Sequence, residues 1–354
     1  MVCILLVLTQ RWHGRLSLDH DIVSVQKIHA RPVPRIGGLG LAFGLLIAIV
    51  ISYLNGSKTY LTILMLLCCA MPVFLAGLLE DLTKKVRIRT RLIASFVAAA
   101  LAVWVLDARL VKLDTFVLDS LIQIPALSVV FTIFAVAGVT HSINIVDGLN
   151  GLAAGAVSIM LAGLAAMAWM HGDTLVMRLC LWGIASTAGF LLLNYPFGRI
   201  FLGDGGAYLA GFWLAQCAVL LLHRNPSIST WAVLLACIYP GWETVFSMFR
   251  RIQRRRIPSR QADLEHLHQL IFKSLQESSR SGAHVRRDWF RHGVASAAIW
   301  LVITACQAIA ILVDDAEAIL PVATGTYVVG YWWMYRVLAA KSDNPTAHPP
   351  LANV

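Results

Sequence analysis

The chain has 354 residues, of which 58% are hydrophobic and only 14% charged, with a formal net charge of +10. A mean hydropathy of +0.72 lies far outside the roughly half-apolar, quarter-charged average of soluble domains, and so excludes an ordinary soluble fold. The positive balance does not point to nucleic acid, because in a polytopic protein lysine and arginine report topology and contact with anionic lipid first.

In chain order, residues 1–9 form an apolar stub, too short to cross a hydrocarbon core of about 30 Å. It has no charged leader before it and no small-residue cleavage site after it, so it reads as a short helix and not as a signal peptide. Apolar runs of membrane-helix length follow at 36–54, 60–79, 91–106, 125–145, 152–170, 175–193, 207–222, 230–249, 293–313 and 319–338. The expected fold is therefore all-α: a polytopic transmembrane helical bundle of about ten full spans plus the N-terminal helix. A single integral-membrane domain over 1–354 is expected, with a long basic loop at 250–292 and a tail at 341–354. The seven cysteines lie almost entirely within apolar runs, with neither paired spacing nor neighbouring histidines, and read as small core hydrophobes.

The loops alternate in charge. Segments 11–35, 84–89 and 250–292 are rich in lysine and arginine, whereas 55–59, 107–124, 171–174, 223–229 and 314–317 are short, mixed or acidic. The positive-inside rule puts the basic set in the cytoplasm, and counting spans places segments 142–151 and 194–206 there too. Every polar motif then falls on one face. A transporter of a nucleotide sugar or lipid-linked intermediate is the competing reading, but it predicts ionisable residues near the midplane and an internal repeat, and the sequence shows neither.

The polar break at 194–206 holds Gly203-Asp204-Gly205, a carboxylate between two glycines that let backbone and ligand approach closely. It suits a divalent cation carrying a diphosphate. Glu80 and Asp81 end the run at 60–79; their bland reading is as i,i+4 partners of Lys84 and Lys85. Asn144 and Asp147 share a helical face beside Gly148 and Gly151, and Asn150 is placed to cap the helix that starts at 152. A basic, proline-rich entry runs from Lys27 through Arg31, Pro34 and Arg35 to Gly38. In the basic loop, Arg255 and Arg256 precede His266-Leu-His268, a pair suited to donating to phosphate oxygens.

Taken together these motifs resemble the polyprenyl-phosphate N-acetylhexosamine-1-phosphate transferases, from Lys27 to about His268. The resemblance implies an enzyme that moves an N-acetylhexosamine 1-phosphate from a UDP-sugar to undecaprenyl phosphate and releases UMP, initiating a lipid-linked polysaccharide in a bacterial inner membrane with its site facing the cytoplasm. It implies magnesium, with manganese as an alternative, held by Asp204 with help from Asn144. Glu80, Asp81, Asp147, Asp204, His266 and His268 would form the catalytic set, Glu80 standing where the family usually has Asp. Arg35, Asn150, Phe201, Arg255 and Arg256 would bind substrate, Phe201 by stacking on uracil. Gln269 stands where the muramoyl-pentapeptide branch has a further histidine, which argues against that branch. A homodimer is a further expectation.

Overall fold

The computed structural model describes residues 1–18, 33–253, 265–278, 288–314 and 318–342. Fifteen helices run in order through these residues. The first five are α1 (Val2–Leu8), α2 (Gln10–Ser17), α3 (Gly38–Leu54), α4 (Thr59–Thr83) and α5 (Ile88–Leu106). The next five are α6 (Phe116–Ile122), α7 (Pro125–Val146), α8 (Leu152–Met170), α9 (Thr174–Asn194) and α10 (Gly203–Arg224). The last are α11 (Thr230–Ala236), α12 (Ile238–Gln253), α13 (Leu267–Ser278), α14 (Asp288–Leu312) and α15 (Ile319–Ser342). Among the described residues the isolated β-bridge is the one between Leu18 and Pro34. The molecule is an all-α polytopic bundle, as the apolar runs predict, and its short N-terminal helix is α1.

Fewer helices qualify as spans than the ten expected. Among the described residues seven are long and apolar enough, namely α4, α5, α7, α8, α9, α10 and α14, or eight if α11 and α12 count as one broken span. Three sequence features account for the difference. Helix α3 has 17 residues, and α15 dilutes its apolar character with Tyr327, Tyr331, Trp332, Trp333, Tyr335 and Arg336. The run expected at 230–249 is not one span but two helices bent by 78°. Pro240 lacks the amide that would bond the Ala236 carbonyl one turn earlier; Gln307 Nε2 of α14 donates to that carbonyl instead, at 2.8 Å. The long loop at 250–292 is also not all loop, since α12 extends to Gln253, α13 lies within it, and α14 begins at Asp288.

Helix α10 is the axis of the bundle. Of its apolar window 94% is buried, against 22% for α5, and it packs against α3, α4, α5, α7, α8 and α9. Its sequence explains this: Gly203, Gly205, Gly206, Ala207, Ala210, Gly211 and Ala215 leave little side-chain bulk between backbones. Small residues are how helices pack closely where lipid removes the hydrophobic drive to associate. A Cβ on Gly77 of α4 would come within 2.5 Å of the Gly205 nitrogen, and one on Gly211 within 2.9 Å of Thr140 Cα in α7. Gly38 of α3 meets the backbone of Gly206 in the same way.

The two ends of the bundle differ in chemistry. At one end Asp173 caps α9 through the Val176 amide and accepts from Arg224 Nε at 2.7 Å. There Asp114 also accepts from Ser229 Oγ at 2.9 Å, and His171 pairs with Asp314 at 2.7 Å. These contacts tie the loops to one another. The opposite end holds the motif residues.

Gly77→Ala is expected to lower the thermal unfolding midpoint in detergent, at a cost of about 1–3 kcal/mol, because a backbone must move to admit the methyl group. Gly189 has nothing within 4 Å of its Cβ position, so Gly189→Ala serves as the control and should leave the midpoint unchanged or raise it slightly.

Candidate functional site

The site is built around the first turn of α10. Gly203, at φ +74°, turns the chain into the helix, and a side chain there would collide with the Arg35 carbonyl and the Asp81 carboxylate. The first amides of a helix have no intrahelical partner and carry partial positive charge. Asp81, from the last turn of α4, satisfies two of them: its Oδ1 accepts from the Asp204 amide and its Oδ2 from the Gly205 amide, both at 2.9 Å. With 3% of its surface exposed, Asp81 acts as a cap supplied by another helix. The alternative pairing of Asp81 with Lys85 is not what the fold uses.

Asp204, the residue held by this cap, gathers donors from three further elements. Asn144 Nδ2 at the end of α7 donates to Oδ1 at 3.1 Å. Arg35 Nη2 approaches the same oxygen at 3.4 Å and lies 3.8 Å from Asp81 Oδ1. Arg91 Nη1, from the first turn of α5, donates to Asp204 Oδ2. Four of the residues expected in the site, Arg35, Asp81, Asn144 and Asp204, thus meet directly.

Asp147 follows Asn144 at the C-cap of α7. Among the described residues its half-buried carboxylate makes no hydrogen bond or ion pair, and burial pushes it up to about 7, Arg35 opposing and Asp204 and Asp81 adding repulsion. No group of three or more His, Cys, Asp or Glu among the described residues is arranged to hold a metal ion by itself. Magnesium asks for less, one or two carboxylates plus phosphate oxygens of a substrate. Asp147 and Asp204, with Asn144 donating to Asp204, are carboxylates of the kind that demand calls for.

Glu80 carries a different contact. Its Oε2 accepts from the Val86 amide at 2.8 Å, which folds the basic segment 84–89 back over the end of α4. Asn150 is buried and does not cap α8, whose N-cap is Gly151. Its Nδ2 donates to the Pro196 carbonyl at 2.8 Å, and the side chain of Asn194 accepts the Gly151 amide and donates to the Ile200 carbonyl. The two asparagines fasten the 195–200 turn to the start of α8. Phe201 enters the site region through its backbone, its amide bonded to the Pro34 carbonyl at 2.8 Å and its carbonyl to the Gly37 amide at 2.9 Å; its ring is half-buried.

His266 and His268 stand at the start of α13 with their rings stacked, centroids 5.5 Å apart and planes 5° from parallel. His268 abuts Gly148, where a Cβ would lie 2.6 Å from its Nε2. The His-x-His pair therefore reaches the Asp147 turn. Arg255 and Arg256, with Lys27 and Arg31, lie outside the described residues.

Two residues of this end were not singled out by the motifs. Arg91 reads in the sequence as the charged start of a span, yet its guanidinium is on Asp204. Glu243 reads as part of an apolar run, yet it is fully buried and bonded to His266 Nδ1 at 2.9 Å. The signal was present in both cases: an ionisable side chain inside a membrane segment is costly and marks function.

With this geometry in hand, the comparisons with known proteins are direct. The pattern of glycosyl transferase family 4 matches residues 63–222, from α4 through α10. A probable undecaprenyl-phosphate N-acetylglucosaminyl 1-phosphate transferase of Bacillus subtilis is 30% identical over 259 residues, which is 70% of this chain and 68% of that one. An undecaprenyl-phosphate alpha-N-acetylglucosaminyl 1-phosphate transferase of Thermotoga maritima is 27% identical over 252 residues, covering 71% and 72%. A phospho-N-acetylmuramoyl-pentapeptide-transferase of Lacticaseibacillus paracasei is 38% identical, but over 116 residues, 33% and 34% of the two chains. This chain belongs to glycosyl transferase family 4, the polyprenyl-phosphate N-acetylhexosamine-1-phosphate transferases whose motifs it carries.

Proposed function

We propose that the protein transfers an N-acetylhexosamine 1-phosphate from a UDP-sugar to undecaprenyl phosphate, at the cytoplasmic face of a bacterial inner membrane. The observation that carries this reading is the arrangement about Asp204, where carboxylates and guanidinium groups from α4, α5, α7 and α10 converge on one helix N-terminus. The relatives' names supply the acceptor, and the basic loops supply the orientation.

The residues divide the work. An oxygen of the acceptor phosphate forms a bond to the sugar-bearing phosphorus while the bond from that phosphorus to UMP breaks. Magnesium, when bound, supplies charge neutralisation for the diphosphate and the leaving UMP. Asp204, Asp147 and Asn144 would hold it, and Asp81 holds Asp204 in place through the backbone. Arg35 and Arg91, which face Asp204, present guanidinium donors to phosphate oxygens. His266 and His268, at the Asp147 turn, donate to sugar or phosphate oxygens, and Phe201 offers a ring for the uracil. No strong base is needed, since a phosphomonoester loses its second proton at a pKa of about 6. Glu80 accordingly serves to shape the basic segment 84–89, through which the acceptor headgroup is recognised. The polymer made downstream is a lipid-linked polysaccharide such as O-antigen, capsule or exopolysaccharide.

Three outcomes test this. In membranes assayed for radiolabelled sugar phosphate transfer, Asp204→Asn should lose at least about 100-fold in rate; unchanged transfer would overturn the metal-ligand role. Glu80→Gln should keep activity within about tenfold at neutral pH, because glutamine still accepts the Val86 amide. An inactive Glu80→Gln whose turnover returned at higher pH would make Glu80 a base. The third concerns stability with divalent cations chelated. Burial raises the Asp147 carboxyl from the ordinary 3.8 to about 7, so the folded state binds the extra proton in between and stability falls as pH rises through that window. Melting between pH 5 and 7 should show this slope in the wild type, less of it in Asp147→Asn, and less again when magnesium is restored to the wild type.

A further inference from the structure

Glu243 is a buried carboxylate with no part in the proposed transfer step. It lies on α12 just past the 78° bend, with 0% of its surface exposed. Three donors surround it. Its Oε1 accepts from His266 Nδ1 at 2.9 Å and from the Leu267 amide at 3.3 Å, and its Oε2 accepts from the Tyr331 hydroxyl of α15 at 2.7 Å. A carboxylate in so dry a place is expensive unless every lone pair has work.

The work is orientation. An ionised carboxylate has no proton to give, so the bond to His266 requires that Nδ1 carry the hydrogen. That fixes the tautomer, directs Nε2 away from α12, and holds the ring plane. The plane is passed on, because the His268 ring lies parallel to it at 5.5 Å and rests on Gly148, next to Asp147. A second clamp secures the same segment: Arg250, one face of which covers the Tyr335 ring, donates from Nη1 to the Glu265 carbonyl at 2.6 Å and to the Tyr335 hydroxyl at 3.0 Å. The His-x-His segment is thus pinned by α12 and α15.

We propose that Glu243 is a positioning residue of the transfer reaction, fixing the Nδ1–H tautomer and plane of His266 and, through the stacked rings, the seat of His268 against the Asp147 turn. The inference rests on the transferase reading above.

The test uses the full-length protein in detergent, with UDP-N-acetylglucosamine and undecaprenyl phosphate. Glu243→Leu should lower kcat by about 10- to 100-fold, the range found when a group orienting a functional histidine is removed, with KM changed less than about threefold. Glu243→Gln should restore kcat to within about threefold of wild type, since one amide oxygen accepts both the Nδ1 proton and the Leu267 amide. Added to His266→Ala, the leucine change should cost less than about twofold more, because it acts through the missing ring. A leucine variant with wild-type kcat, a glutamine variant as slow as leucine, or losses that multiply in the double variant would each overturn the proposal. Nitrogen-15 spectra of His266 in the wild type decide the matter even where the leucine variant does not fold: a protonated Nδ1 is expected, and an Nδ1 without a proton overturns the assignment. Should the wild type transfer no sugar phosphate, the substrate reading fails, and those spectra still judge Glu243.

Discussion

The structure depends on the bond between the Asp81 carboxylate and the first amides of α10. One acid on α4 satisfies two backbone donors that no helix can satisfy for itself, in a place where water is scarce and an orphan amide is costly. Because the two amides belong to Asp204 and Gly205, the same contact that ends the central helix also sets the position of the residue at the focus of the site. Fold and site share one interaction. Its neighbour Glu80, one residue and about 100° around the helix, accepts the Val86 amide of the basic segment that follows.

That bond requires α4 and α10 to run almost in contact, and the glycines provide it. Gly77 faces Gly205, and Gly38 faces Gly206, so the backbones of α3 and α4 close on the start of α10 with little side-chain bulk between them. Tight crossings bring a rigid scaffold to the polar end, while the far end is tied by side-chain clamps through Asp114, Asp173 and Asp314. The carboxylates at the two ends differ accordingly. Asp173 and Asp114 are spent on amides, hydroxyls and basic groups of the protein, whereas Asp147 makes no hydrogen bond or ion pair among the described residues. An acid that the protein does not use for itself is available to a ligand.

Much of this was legible in the sequence because membrane proteins advertise their polar positions. Against an apolar background, Asp81, Asn144, Asp147 and Asp204 stand out, and the alternation of basic loops sends them to one end. What the sequence did not reveal was which polar atoms face protein. Asn150 looks like a helix cap and is a fastener for the 195–200 turn; Asp81 looks like a partner for Lys85 and caps α10. These outcomes turn on the distance between helices remote in sequence, which spacing along one helix does not contain. The bend at Cys237 was closer to hand, since Tyr239-Pro240-Gly241 interrupts an apolar run, but a window that averages hydropathy passes over it. Arg91 and Glu243 were missed for a related reason: each sits within a stretch whose neighbours are apolar enough to hide one charge.

The charged groups around Asp204 bear on how anions could enter the site. Asp81 and Asp204 face Arg35 and Arg91, and Asp147 beside them is raised to about 7, first by burial and then by the repulsion of Asp204 and Asp81, against the pull of Arg35. A nucleoside diphosphate and a lipid phosphate would add further negative charge to the same small volume. On the proposed reading the arginines cannot serve Asp204 and the phosphates equally, so a divalent cation taking over at Asp204 would release guanidinium donors toward the incoming anions. On that reading Arg35 and Arg91, which pair with Asp204, would be the donors that phosphates bound at this helix start meet.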